Sequence, residues 1–172
     1  MQDAASCLIL LALLFLTGEV PASAGACPDR FLGNWEYRQA AGHGYDAEGE
    51  RLELSCSGDS LRGLYFGLER EGEEGLFYTL VEVKDLSVGR NGDVSFVVPE
   101  RELYATRPRK LDDLNTKAYP SSGITRDELH YQGRLADRKM VLRCTAKMAT
   151  CPDREMVFSR GAATPPSTLP RK

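Results

Sequence analysis

The chemistry open to this chain is carried by few residues. It has two histidines, His43 and His130, and five cysteines. His43 stands in Ala41-Gly42-His43-Gly44-Tyr45, a loop composition, and His130 alternates with apolar neighbours in a way that turns it outward. Either ring could serve as a general base, against the plainer reading of a lone solvated histidine. No G-x-S-x-G elbow, phosphate-binding glycine loop or H-E-x-x-H pair accompanies either ring. Glu69, Glu71, Glu73 and Glu74 form an acidic run, suited to a solvated turn or to holding a cation or a basic partner. Arg101, Arg107, Arg109 and Lys110 form a basic stretch beside Tyr104, but Asp112 and Asp113 follow at once. A nucleic-acid groove needs more aromatics and a basic surplus. The formal charge is −3 and the sequence pI near 5.5, which argues against general phosphate-backbone binding. These residues predict no enzyme, no cofactor and no metal centre.

The cysteines speak for an oxidising compartment. Cys7 to Leu16 reads CLILLALLFL, too short for a spanning helix, which needs roughly 20 apolar residues. Ala22-Ser23-Ala24 and Ala24-Gly25-Ala26 both fit the A-x-A cleavage rule, so residues 1–26 read as a signal peptide, with cleavage before Gly25 or Cys27. Its amino-terminal stretch carries Asp3 and no Lys or Arg. The leader removed, Cys27, Cys56, Cys144 and Cys151 remain, an even set that reads as two disulfides. A zinc site lacks the usual C-x-x-C spacing and a nearby His. Lipidation of Cys27, anchoring the chain to a membrane surface, is an alternative that leaves one thiol over. The expected localisation is periplasmic or extracellular.

The elements that position these residues are strands. Period-2 runs bounded by turn residues recur at 31–37, 51–56, 61–68, 76–83, 94–98, 128–135, 139–144 and 155–159. No stretch sustains a helical period; at most 110–118 forms a short helix inside a long loop. The composition suits one domain, 27–161, followed by a Pro- and Thr-rich tail at 162–172 that reads as disordered. Ser57-Gly58-Asp59-Ser60, Gly89 to Asp93 with its Asn91-Gly92, and Ala136-Asp137-Arg138 make tight hairpins. The connections 38–50, 69–75, 99–127 and 145–154 are mostly longer. In an up-and-down meander alternate connections share an end, so tight turns close one end and long loops ring the other. The expected fold is an all-β, eight-stranded antiparallel up-and-down barrel, with a two-sheet β-sandwich as the alternative.

This layout resembles a lipocalin or related calycin barrel. That family carries a G-x-W motif on its first strand, matched here by Gly33-Asn34-Trp35, and packs an arginine from its last strand over the tryptophan, a place matched by Arg160. Of the family's T-D-Y turn only Asp137 is kept, and the helix that normally follows the last strand is missing. The resemblance implies a small apolar ligand held inside the barrel through its open end. Secreted bacterial inhibitors use similar barrels, so the second function is a solid scaffold that binds a protein partner, as an inhibitor or envelope interaction factor, through its long loops. The inward set expected is Trp35, Tyr37, Leu52, Leu54, Phe77, Val81, Val83, Phe96, Tyr131 and Met140, with Trp35, Tyr37, Phe96 and Tyr131 as candidate lining. A cavity bounded by Trp35, Phe96 and Tyr131 favours the carrier; a filled core favours the loop binder. The rim residues most suited to contact a ligand or partner are Tyr104, Arg107, Arg109 and Tyr119, because Tyr and Arg are common interface anchors. The protein is expected to be a monomer.

Pairing of the thiols follows from the meander. Cys27 precedes the first strand and Cys56 ends the second, so both lie at the tight-turn end; Cys144 and Cys151 lie at the other. A seven-residue strand spans roughly 23 Å, beyond the approximately 4.4–6.8 Å Cα separation of a disulfide. Cys27–Cys56 and Cys144–Cys151 are therefore expected, against the rival Cys27–Cys151 and Cys56–Cys144 suggested by the repeated Cys-Pro-Asp-Arg.

Overall fold

The computed structural model describes residues 27–37, 49–71, 75–145, 151 and 155–161. The proposed leader and the 162–172 tail lie outside the described residues, as does His43. The strands are β1 (Gly33–Tyr37), β2 (Glu50–Ser57), β3 (Ser60–Glu71), β4 (Gly75–Glu82), β5 (Lys84–Val88), β6 (Asp93–Val98), β7 (Arg101–Leu103), β8 (Gly123–Thr125), β9 (Leu129–Ala136), β10 (Lys139–Thr145) and β11 (Met156–Arg160). Nine of them form one antiparallel sheet in the order β4-β3-β2-β1-β11-β10-β9-β6-β5, and β7 pairs with β8. The sheet runs up and down and is nearly closed into a barrel.

The difference from eight strands has two sources. First, β4 and β5 are separated only by Val83. β4 pairs with β3 and β5 pairs with β6, so one bent segment joins the two ends of the sheet. At the bend the Val83 amide still donates to the Gly63 carbonyl at 2.9 Å. Gly63 is needed there, because a Cβ would lie 2.7 Å from a Val83 methyl carbon. Counted as one strand, β4–β5 restores the expected eight positions round the ring. Second, the 99–127 connection contains β7 and β8. The helix considered at 110–118 is only a 3-10 turn, Leu111–Asp113; Asn115, with φ of 57°, breaks any helical continuation.

Alternation places the core. On β6, Val94, Phe96 and Val98 are buried while Asp93 and Ser95 are exposed; on β9, Leu129 and Tyr131 are buried while His130 and Gln132 are exposed. The main cluster joins Phe31, Trp35, Tyr37, Leu52, Leu54, Tyr65, Phe96, Tyr131, Met140 and Phe158 with their aliphatic neighbours. Phe77 and Val81 are only half-buried. They belong to β4, the strand that leaves the ring at the seam.

The tight-turn end is plugged by the segment that leads into β1, residues 28–32. Phe31 is fully buried, and its carbonyl accepts the Trp35 indole N–H at 2.8 Å. Gly33, at φ 115°, makes the turn from plug into strand that an L-residue resists. Arg160 lies over the Trp35 ring at 5.3 Å and donates to the Leu32 carbonyl at 2.6 Å. Arg30 ties the plug to the β5–β6 turn through the Gly89 carbonyl at 2.8 Å. The disulfides join Cys27 to Cys56 and Cys144 to Cys151. With its sulfur bonded to Cys56, Cys27 has no thiol for a lipid, so the lipidated alternative and its membrane anchor do not fit this structure. No helix among the described residues is long and apolar enough to cross a membrane.

The β9–β10 hairpin turns through Asp137 and Arg138 at φ 49° and 65°. Both central residues of this two-residue turn are left-handed, a conformation that costs roughly 1–2 kcal/mol for a residue with a Cβ. Arg138→Gly is expected to raise stability by up to about 1 kcal/mol after glycine's extra unfolded entropy is set against it, read as a higher urea midpoint with an unchanged slope.

Candidate functional site

The long connection is built as part of the fold. After β6 the chain passes Pro99 and Glu100 and enters β7, whose continuation at Tyr104 lies antiparallel to Tyr78 on β4; their amides and carbonyls exchange two bonds of 2.9 Å. β7 and β8 therefore cover the edge that β4 exposes where it bends out of the ring. Exposed edges invite pairing with other chains, and this one is occupied. Phe66 and Leu80 face each other across β3 and β4 on the outer side of the sheet. They are buried, as are Leu103 and Tyr104, yet none of the four belongs to the barrel core. Arg107 borders a cleft with Phe66, Leu68 and Tyr78. The segment after Tyr104 is thus a strap across the outer face of β3 and β4, with its own small apolar patch beneath it.

The strap is fixed by Arg101, whose side chain is fully buried. It donates to the Asp127 carbonyl at 2.7 Å and the Pro99 carbonyl at 3.4 Å, and its Nε reaches Glu69 on β3 at 2.8 Å. One guanidinium thereby holds the two ends of the excursion together and ties both to the barrel. Glu69, placed by sequence in an acidic loop, is instead a mostly buried counter-ion. Removing Arg101 leaves that carboxylate uncompensated. Arg101→Met is expected to cost about 3–5 kcal/mol in chemical denaturation, and Arg101→Met with Glu69→Leu to recover part of it.

A second polar group lies near this pair. Glu50 opens β2 and is half-buried. The Tyr131 hydroxyl donates to its carboxylate at 3.3 Å, and the Tyr65 and Tyr131 hydroxyls are 3.3 Å apart. Tyr131 in turn stacks on Phe96 with centroids 4.9 Å apart. Burial pushes the Glu50 carboxyl from 4.5 up to about 7; bonds from Tyr65 and Tyr131 and the charge of Arg101 oppose the rise, while Glu69 adds to it. Burial also holds both phenols well above their ordinary range, with the Glu50 charge next in weight. The sign for stability follows. The native state holds the Glu50 proton more tightly than the unfolded chain, so this contribution is full below about 4.5 and is lost as pH rises through about 7. Glu50→Gln is expected to flatten the stability profile across that window and to be more stable than the parent above it, by about 1–3 kcal/mol in urea titrations.

The sequence-derived sites separate here. Tyr104, expected to face a partner, is fully buried, and its hydroxyl donates to Glu102 at 2.5 Å. It fastens the strap to β4 and is not presented. Arg107 and Arg109 are exposed, Tyr119 is half-buried, and all three lie on the strap. Of the other connections expected at the rim, 38–50 and 145–154 fall largely outside the described residues, whereas 69–75 is mostly strand: β3 runs to Glu71, which pairs with Gly75 at the start of β4, so this connection is a short hairpin and not a long loop. Trp35, Tyr37, Phe96 and Tyr131 are buried side chains of the barrel core. Nothing in the sequence motifs groups Glu50, Glu69 and Tyr65; the signal available is a carboxylate at an inward register position on each of two adjacent strands. A depression of about 850 Å³ was also unforeseen. It lies on the outer face of β5, β6, β9 and β10, where Ser87, Ser95, Gln132 and Arg143 form one cross-strand row. Among the described residues no cluster of His, Cys, Asp and Glu could hold a metal ion.

The chain matches no family model, and comparison with curated proteins and with solved structures gives no match.

Proposed function

We propose that this is an exported binding protein, not an enzyme, in which a lipocalin-like barrel serves as a solid scaffold and the strap presents the recognition surface to a protein partner. The observation that carries this reading is the filled interior. Trp35, Phe96 and Tyr131, the side chains that would line a ligand cavity, are each at most 2% exposed and packed within one aromatic and aliphatic cluster. An eight-position ring is narrow enough for side chains to fill it. The strap supports the second half of the reading. It is longer than closure requires, it is anchored at both ends by Arg101, and it exposes Arg107, Arg109, Lys110 and Leu111. Loops on a rigid scaffold are where recognition is usually placed. Two disulfides and a leader-like amino terminus support export, and the four remaining cysteines pair without remainder.

The carrier reading keeps one observation in its favour. Glu50, half-buried, and the buried phenols of Tyr65 and Tyr131 place hydrogen-bonding groups together near the mouth, where the polar head of an apolar ligand would meet them. Native mass spectrometry of the protein purified from its own source separates the two. The expected spectrum is the bare mature chain with two disulfides; a co-purified small apolar molecule overturns the solid-scaffold reading in favour of the carrier. For a partner captured by the wild-type protein, Arg109→Glu with Tyr119→Ala is expected to abolish the complex, and Asn91→Ala at the tight-turn end to leave it intact. The reverse pattern places recognition at the other end of the barrel.

A further inference from the structure

The strap brings a cation onto a face that already carries one. Arg51 lies opposite Phe66 across the β2–β3 ladder, and its guanidinium is laid over the Phe66 ring at 3.6 Å. Arg107 borders the cleft formed with Phe66, Gly67, Leu68, Tyr78 and Thr79. The two arginines therefore meet at one aromatic side chain. Burial lowers the Arg51 pKa; the nearby charge of Arg107 lowers it further, while Glu53 and Glu36 act in the opposite sense. Those carboxylates are within electrostatic reach, yet among the described residues neither arginine forms an ion pair.

Two further polar atoms here lack partners. Arg51 Nε is buried without a hydrogen-bond acceptor, and so is the hydroxyl of Thr79, which is 1% exposed and borders the same cleft. A buried unsatisfied donor is costly, and buried polar groups in native structures are nearly always paired. A guanidinium offers five N–H donors in a planar fork that fits an oxyanion, and stacking on an aromatic ring leaves the fork's edge free to donate. An anion placed between Arg51 and Arg107 would accept from the outward N–H groups of both and cancel the repulsion between like charges. The cleft itself has no room for a water molecule, so it cannot engulf a ligand. The anion would lie at its outer lip, where Arg107 is exposed.

We propose that Arg51 and Arg107 form an anion-binding site at the junction of strap and barrel, taking a carboxylate or phosphate group. The group has two sources: a free oxyanion, or an acidic side chain of a protein partner. The second would make the site part of the recognition surface proposed above; the first stands without it.

The test is a ¹H–¹⁵N titration of the folded protein at fixed ionic strength with two probes, inorganic phosphate and a capped tetraglutamate peptide. Saturable shifts are expected at the amides of Phe66, Gly67, Leu68 and Thr79. Arg107→Gln should weaken binding about tenfold, the scale of one lost charge-assisted hydrogen bond. Arg51→Lys, which keeps the charge and loses the stacked fork, should weaken it as well, and Arg126→Gln should leave it unchanged. Arg107 is exposed, so its variant keeps the parent's amide dispersion. Saturation by phosphate alone identifies a free oxyanion; saturation by the peptide alone, or by both with the peptide tighter, identifies a partner's acid. The proposal is overturned if neither probe saturates, or if Arg107→Gln binds as the wild type does. Either failure leaves the partner-binding reading to the complex-formation experiment, which uses Arg109 and Tyr119.

Discussion

A sheet of this width has to hide two edges, and it does so with one strand bent at Val83. The first half of that strand completes the ladder of β3, and the second half completes the ladder of β6. The economy has a structural cost. Where the strand leaves one neighbour for the other, β4 is left with an unpaired edge at the loop-bearing end. The excursion of residues 99–127 answers that constraint: Tyr104 pairs with Tyr78, β8 backs β7, and the remaining chain crosses the outer face of β3 and β4. Arg101 is the point on which this depends, because its guanidinium is shared between both ends of the excursion and Glu69 on the barrel wall.

The two ends of the barrel solve different electrostatic problems. At the plugged end Arg160 and Arg30 donate to backbone carbonyls and lie against Trp35 and Phe31, and the cations remain in contact with water. At the mouth the charges are taken out of water. Arg101 is sealed in with Glu69, and Glu50 keeps company with two phenols. This arrangement links the mouth to the proton concentration near neutrality through one carboxyl.

Much of the ring was legible in the sequence. The alternation of Val94, Phe96 and Val98, or of Leu129 and Tyr131 against His130 and Gln132, fixes which face is buried, because a strand's side chains alternate strictly. The spacing of the cysteines along a meander was enough to pair them, since a strand is far longer than a disulfide. Trp35 under Arg160 was readable from a motif. The strap was not. A three-residue strand such as Arg101–Leu103 is too short to show a period, and Tyr104 looks the same in sequence whether it faces a partner or a neighbouring strand. Glu69 was hidden among other glutamates: only a tertiary contact between β3 and β7 brings Arg101 close enough to claim it. Arg51 and Arg107 are 56 residues apart in the sequence, and nothing local links them.

The disulfide connectivity also bears on how the chain can be made. Each bridge joins cysteines that are consecutive among the four, Cys27 with Cys56 and Cys144 with Cys151, at sequence separations of 29 and 7. Among these four, a polypeptide oxidised in the order in which it emerges meets each correct partner before either of the incorrect ones is present. By the time Cys144 appears, Cys27 and Cys56 are already joined. The interleaved alternatives would require the first thiols to wait for the last. Among these four cysteines the pattern therefore makes no demand on an isomerase to undo mistaken bonds.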